Sequence, residues 1–313
     1  MRTALHQRTA ATLLSLSLAW ICPFRCAGQP LAPELASPCR VYSLRMTSYV
    51  PAPARVEGLL LKASVNGGPL LRLLLDTGAA HVVLSRAAAA RSGFSPTSNL
   101  TLVGFGALPA ADVKSGMART IEIGALKLRN YPVDMAPDRL PEGLDGVIPV
   151  ALFRGFLVRL DLPAKTLELT PYPEVPAAAD RFVQAVPTRD LLFVPATLNR
   201  ARKGYVLLDT GAVCSVISRQ AARDLNGLFL ESEEMQGGSG PIAGRRLASG
   251  IRFQIAGREL AADPVMAVDL SSISRFHGFE IAGLVGYPDL RTSVITVNYR
   301  DSLVSIEPGR KSR

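Results

Sequence analysis

Aromatic side chains are scarce in this chain. Phe, Trp and Tyr make up 6% of its 313 residues, with a single tryptophan, Trp20. Charged residues, at 19%, fall below the roughly 25% usual in soluble domains. There are 4 cysteines and 3 histidines. So few thiols exclude a disulfide-dense scaffold. His81 and His277 have no Cys or carboxylate at ligand spacing, so no metal is expected, and no sequence feature calls for a cofactor. The net charge is +9, but the basic residues are scattered with no dense run. That reads as a solvated surface and argues against nucleic-acid binding. Beyond the N-terminus no apolar stretch is long enough to span a bilayer.

The N-terminus reads as an address. Arg2, His6 and Arg8 precede an apolar run from Ala10 to Cys22, followed by Cys26-Ala27-Gly28. This is the order of a secretory signal with its cleavage site, so residues 1–28 are expected to be removed on export to the periplasm or the extracellular space. The run is short for a membrane anchor. The bulky residues before Cys22 and Cys26 fit a lipoprotein signal poorly. Export leaves Cys39 and Cys214, and the sequence leaves open whether they form a disulfide. Residues 29–55 are proline-rich and are read as a propeptide or a tether, ahead of an extra strand.

What the chain does have is a duplication. Leu73-Leu74-Leu75-Asp76-Thr77-Gly78-Ala79 returns as Val206-Leu207-Leu208-Asp209-Thr210-Gly211-Ala212. The same offset relates Asn66 to Asn199, Ser85 to Ser218, Gly104 to Gly237 and Gly124 to Gly257. Short runs of Val, Ile and Leu with period two, separated by Gly, Pro and Asn, predict a mostly β fold. Helical patches are expected at 85–91 and 218–226. The expected organisation is a first lobe over 56–172, a proline-rich linker over 173–181, a second lobe over 182–307 and a basic tail over 308–313.

One Asp-Thr-Gly is weak evidence, because Asp and Gly are common in ordinary turns. Two copies in register, each after three apolar residues, are a stronger signal. The apolar triplet buries a strand, and the glycine lets the backbone turn sharply, so the aspartate projects from a rigid strand end. A pseudo-twofold axis would bring the two carboxylates together. Two such groups about 3 Å apart resist double ionisation and share a proton. One then serves as general base toward water while the other polarises a carbonyl.

These motifs resemble the retropepsin and pepsin clan of aspartic peptidases, over about residues 56–307. The Ala after each Asp-Thr-Gly is closer to the retroviral type, and the chain resembles a fused dimer, similar to exported bacterial retropepsin-like proteases. The resemblance implies a bilobal acid-protease β-barrel fold of two tandem lobes, acting as a monomeric pseudo-dimer on extended peptides. It implies Asp76 and Asp209 as the dyad, with Thr77 and Thr210 bonding across the axis and Gly78 and Gly211 beside the substrate. Ala79, Ala80, His81, Ala212, Val213 and Cys214 would line the substrate, under flaps containing Gly104, Phe105, Gly237 and Gly238. Ala79 and Ala212 lack the hydroxyl that pepsin-type enzymes aim at the carboxylates, so an optimum less acidic than pepsin's is expected. Pro149 replaces the glycine of the apolar-apolar-Gly turn, so the backbone is expected to differ there and the pairing of Asp76 to be less regular.

Other residues read more plainly. His277 is expected at the surface. Ser215 and Ser218 have no histidine at a recognisable spacing, and Cys214 is a pocket-lining residue ahead of a nucleophile. Gly237-Gly238-Ser239-Gly240 lacks the lysine of a phosphate loop. The alternative to an endopeptidase is a catalytically silent peptide-binding or assembly protein on the same fold.

Overall fold

Strands that alternate apolar and polar residues, such as Tyr42–Arg45 and Ile251–Ile255, surround central strands that are apolar throughout, such as Ile281–Gly286. A computed structural model describes residues 34–35, 40–50, 58–102, 111–136, 140, 142–173, 181–188, 190–237 and 240–309. All lie within one compact unit, Ala32–Arg313. The fold is mostly β, arranged as three sheets.

In the first sheet, six strands close into a barrel in the order Leu126–Met135, Val82–Leu84, Gly146–Pro149, Leu70–Asp76, Gly58–Val65 and Ala111–Ile123, the last pairing back onto the first. Closure removes the exposed strand edges that invite aberrant pairing. Inside it Leu71, Leu73 and Leu75 are fully buried, which explains the apolar run ahead of Asp76.

The second half repeats this order with Val265–Val268, Ser215–Ser218, Ile281–Gly286, Arg202–Asp209 and Leu191–Leu198. Small details repeat too. Asn66 and Asn199 both adopt positive φ (54° and 48°), where asparagine is tolerated. Each uses its side-chain oxygen to accept a backbone N–H, from Arg119 at 2.7 Å and from Arg252 at 2.9 Å. Ser85 and Ser218 cap the helices Arg86–Arg91 and Arg219–Asp224 by accepting from Ala88 N–H and Ala221 N–H, as N-cap serines do.

The third sheet joins the halves. Its six strands run Val183–Gln184, Leu303–Pro308, Ser293–Asn298, Leu157–Asp161, Thr166–Thr170 and Tyr42–Arg45. The seam is the antiparallel pair Leu157–Asp161 with Ser293–Asn298, one strand from each half.

This corrects the reading of residues 29–55. Tyr42–Arg45 pairs with Thr166–Thr170, and Thr47–Tyr49 pairs with Gly58–Val65. Tyr42, Leu44 and Met46 are buried, and Tyr42 packs edge-on against Phe156 at 5.7 Å. Here residues 42–45 and 47–49 form strands, the alternative that the reading ranked last, and are packed on the fold, not a loose tether. The proline-rich flanks hid a period-two pattern over 41–46. The linker residues 174–180, Cys39 and residues 1–33 lie outside the described residues.

Candidate active site

Each aspartate sits at the end of a buried strand. Leu70–Asp76 runs parallel to Gly146–Pro149, with Asp76 opposite Pro149. Arg202–Asp209 runs parallel to Ile281–Gly286, with Asp209 opposite Gly286. The predicted irregularity at Pro149 is corrected. Pro149 has φ −73° and ψ 145°, and Gly286 has φ −79° and ψ 166°. Both are extended, a conformation proline adopts readily. Gly286 is glycine for space, since a Cβ there would lie 2.6 Å from the backbone of Cys214.

The two threonines lock the strand ends together. Thr77 Oγ1 donates to the Leu208 carbonyl at 2.6 Å and accepts from Thr210 N–H at 2.9 Å. Thr210 Oγ1 donates to the Leu75 carbonyl at 2.8 Å and accepts from Thr77 N–H at 3.1 Å. Each hydroxyl thus satisfies one donor and one acceptor of the opposite half. Thr210 is 1% exposed, so its bonds are shielded from competing water.

The glycines are crossed in the same way. A Cβ on Gly78 would sit 2.6 Å from the Asp209 carboxyl carbon, and one on Gly211 would sit 2.5 Å from that of Asp76. Each loop therefore packs its backbone directly on the other half's carboxyl. Asp76 Oδ1 accepts from Gly78 N–H at 2.6 Å, and Asp209 Oδ1 accepts from Gly211 N–H at 2.9 Å. The two carboxyls lie near enough for each to shift the other's protonation.

This environment raises both acids. Burial is the main cause for Asp76, opposed by the backbone N–H of Gly78 and then by the bond to Asp209. Asp209 is raised well above the ordinary carboxylate range, by burial first, then by the charge of Asp76 and the bond to it. The pair holds a proton at pH values where two isolated carboxyls would both be ionised.

Around the pair, Ala79, Ala80, His81, Ala212 and Cys214 are half-buried, and Val213 is 47% exposed. Gly237 ends the strand Phe229–Gly237, pairing with Gly240 across a hairpin. Gly104, Phe105 and Gly238 lie outside the described residues. His277, expected at the surface, is instead half-buried. Its ring packs 5.0 Å from Phe193 and 5.1 Å from Phe276, and Nδ1 lies 2.7 Å from Thr188 Oγ1.

Two supporting carboxylates escaped the sequence reading. Asp134 is fully buried and lies 2.7 Å from His81 Nδ1. Its signal was an acid within the apolar strand Leu126–Met135. Asp289 accepts from Ser215 Oγ at 2.5 Å, and Ser215 Oγ accepts from Gly286 N–H at 2.9 Å. That chain fixes the backbone opposite Asp209. Burial raises the Asp289 carboxyl too.

Comparisons with known proteins bear on the first half and on the fold. Residues 61–148 match the family model described as aspartyl protease. Among solved structures, an aspartic proteinase from Irpex lacteus superposes with a TM-score of 0.55 at 12% identity, covering 86% of this chain and 98% of that one. The fold is that of the aspartic peptidases. The family match and the fold together support a peptidase, and the likeness extends to the pepsin-like and retropepsin enzymes. No curated protein sequence matches the chain.

Proposed function

We propose that the protein is an aspartic endopeptidase that hydrolyses extended peptides with Asp76 and Asp209. The observation that carries this reading is the reciprocal bonding of Thr77 and Thr210 across the two strand ends, which packs each loop's glycine backbone directly on the other half's carboxyl. The pair shares one proton at rest; with that proton on Asp209, Asp76 is the base.

In the first step a water between the carboxyls loses its proton to Asp76 while its oxygen attacks the peptide carbonyl. Asp209 donates its proton to the carbonyl oxygen, so the tetrahedral intermediate forms without a free oxyanion. Collapse returns a proton from Asp76 to the leaving nitrogen and one from the intermediate to Asp209, restoring the starting state. The threonine bonds keep the two oxygens within reach throughout.

The substrate would lie between Ala79–His81 and Ala212–Cys214, beneath the hairpin ending at Gly237. One chain supplies both halves, so a monomer is the active form in this reading. The charged N-terminus followed by an apolar run supports action outside the cytoplasm; among the described residues no helix is long and apolar enough to cross a membrane. The test is incubation of purified protein with a diverse peptide library from pH 3 to 8, a range set by ordinary and raised carboxylates (about 4 upward). Cleavage blocked by a statine-type transition-state mimic is expected. A well-folded protein that binds peptides but cleaves none would instead be the silent peptide-binding alternative.

A further inference from the structure

The two halves are equivalent at the dyad but not beside it. Five residues after Asp76 stands His81; five residues after Asp209 stands Cys214. One residue nearer the dyad, Ala80 in the first half corresponds to the 47%-exposed Val213 in the second. Positions related by the pseudo-twofold axis therefore carry a basic ring on one side and an apolar, weakly polar pair on the other.

The histidine is anchored. Its Nδ1 lies 2.7 Å from Asp134 Oδ2, and the side chains are 37% and 1% exposed. Asp134 Oδ1 has no hydrogen-bond partner. A carboxylate sealed from water needs a countercharge, and His81 is a group in contact that supplies one when protonated. The strand register supports this as a built feature. Val83 pairs with Asp134 in the first half, and Val216 pairs with Met266 at the corresponding place in the second. So the second half lacks both the histidine and its acid. The result is a ring held from behind by a buried carboxyl, with its side chain 37% exposed, five residues along the chain from Asp76.

We infer that His81, positioned by Asp134, selects an acidic side chain on one side of the scissile bond, with an aliphatic side chain favoured at the symmetry-related position near Val213 and Cys214. The inference rests on the peptidase reading above and gives it a substrate class. A homodimeric site would treat the two positions alike; this one reads a peptide with direction. A charge-assisted contact to the ring distinguishes Glu from the isosteric Gln, which has the same length and no charge.

The test uses the purified full chain and peptide sets identical except for Glu, Gln or Leu at each position around the cleaved bond. The expected wild-type result is a kcat/KM about tenfold higher for Glu than for Gln at one position on one side only, and a preference for Leu at its counterpart. In His81→Gln the Glu-to-Gln ratio is expected to fall to about one, whatever happens to the overall rate. Asp134→Asn should lower the same ratio through misplacement of the ring; if that variant fails to fold, His81→Gln still decides. Equal cleavage of Glu and Gln peptides at every position, or a ratio that survives in His81→Gln, overturns the inference while leaving the peptidase reading intact. Absence of cleavage of any peptide by the wild type overturns both.

Discussion

Gly78 and Gly211 show how closely the two halves meet at single-residue scale. A methyl group at either would occupy space 2.6 Å or 2.5 Å from the facing carboxyl carbon, well inside van der Waals contact. Gly78→Ala and Gly211→Ala should each cut kcat/KM by about a hundredfold or more, because displacements of about 1 Å at a reacting group cost that much. Circular dichroism should show the fold retained. Thr77→Ala and Thr210→Ala remove a hydroxyl that both donates and accepts across the halves, and each should cost about 1–3 kcal/mol in urea unfolding. Serine at either position keeps the hydroxyl and should recover most of that. The raised acid at Asp209 carries its own signature. In the unfolded chain it ionises near its ordinary value of 3.8, and in the fold well above it. Between those values the native state holds more protons, so its contribution to stability is lost as pH rises through that window. Asp209→Asn removes the charge but keeps an oxygen for Gly211 N–H. It should melt higher than wild type at neutral pH and decline less steeply between acid and neutral pH in calorimetry.

At the scale of elements, some features were legible in sequence for local reasons and others were hidden for nonlocal ones. Ser85 and Ser218 announced their helices because an N-cap is set by neighbours three residues away. The paired Asp-Thr-Gly strands were legible because their triplets of apolar residues mark burial directly. That Thr77 and Thr210 bond across the axis was implied by the resemblance carried on the duplicated motifs; their partners, the Leu208 and Leu75 carbonyls, were not legible in sequence. Pro149 misled because a missing glycine suggests a missing conformation. The structure shows that the glycine of the second half answers a steric need at Cys214, not a positive φ. The strand Tyr42–Arg45 was hidden by its proline-rich surroundings, and its partner Thr166–Thr170 lies more than a hundred residues away. Its role is open to measurement. Tyr42→Ala should destabilise the protein by about 3 kcal/mol, as loss of a large buried aromatic does. A dispensable tether would show no change.

Across the whole molecule, the six-stranded sheet joins the two halves away from the dyad. Its seam pairs Leu157–Asp161 with Ser293–Asn298 over five residue pairs, and both flanks bury apolar residues from each half. The Arg154–Asp190 ion pair also bridges the halves but is half-exposed at the arginine. Arg154→Ala should therefore cost less than about 1 kcal/mol, so the register of the two aspartates depends on sheet and core instead. That division of labour makes the dyad a property of the entire chain, and it leaves one measurement that bears on it most directly. Wild type, Asp76→Asn and Asp209→Asn are purified, shown by circular dichroism and thermal melting to be folded, and compared on the same peptide library. Hydrolysis by wild type, with kcat/KM lower by about a thousandfold or more in each single variant, is the predicted result. Equal cleavage by all three proteins, or cleavage abolished in one variant and retained in the other, would contradict a shared catalytic pair.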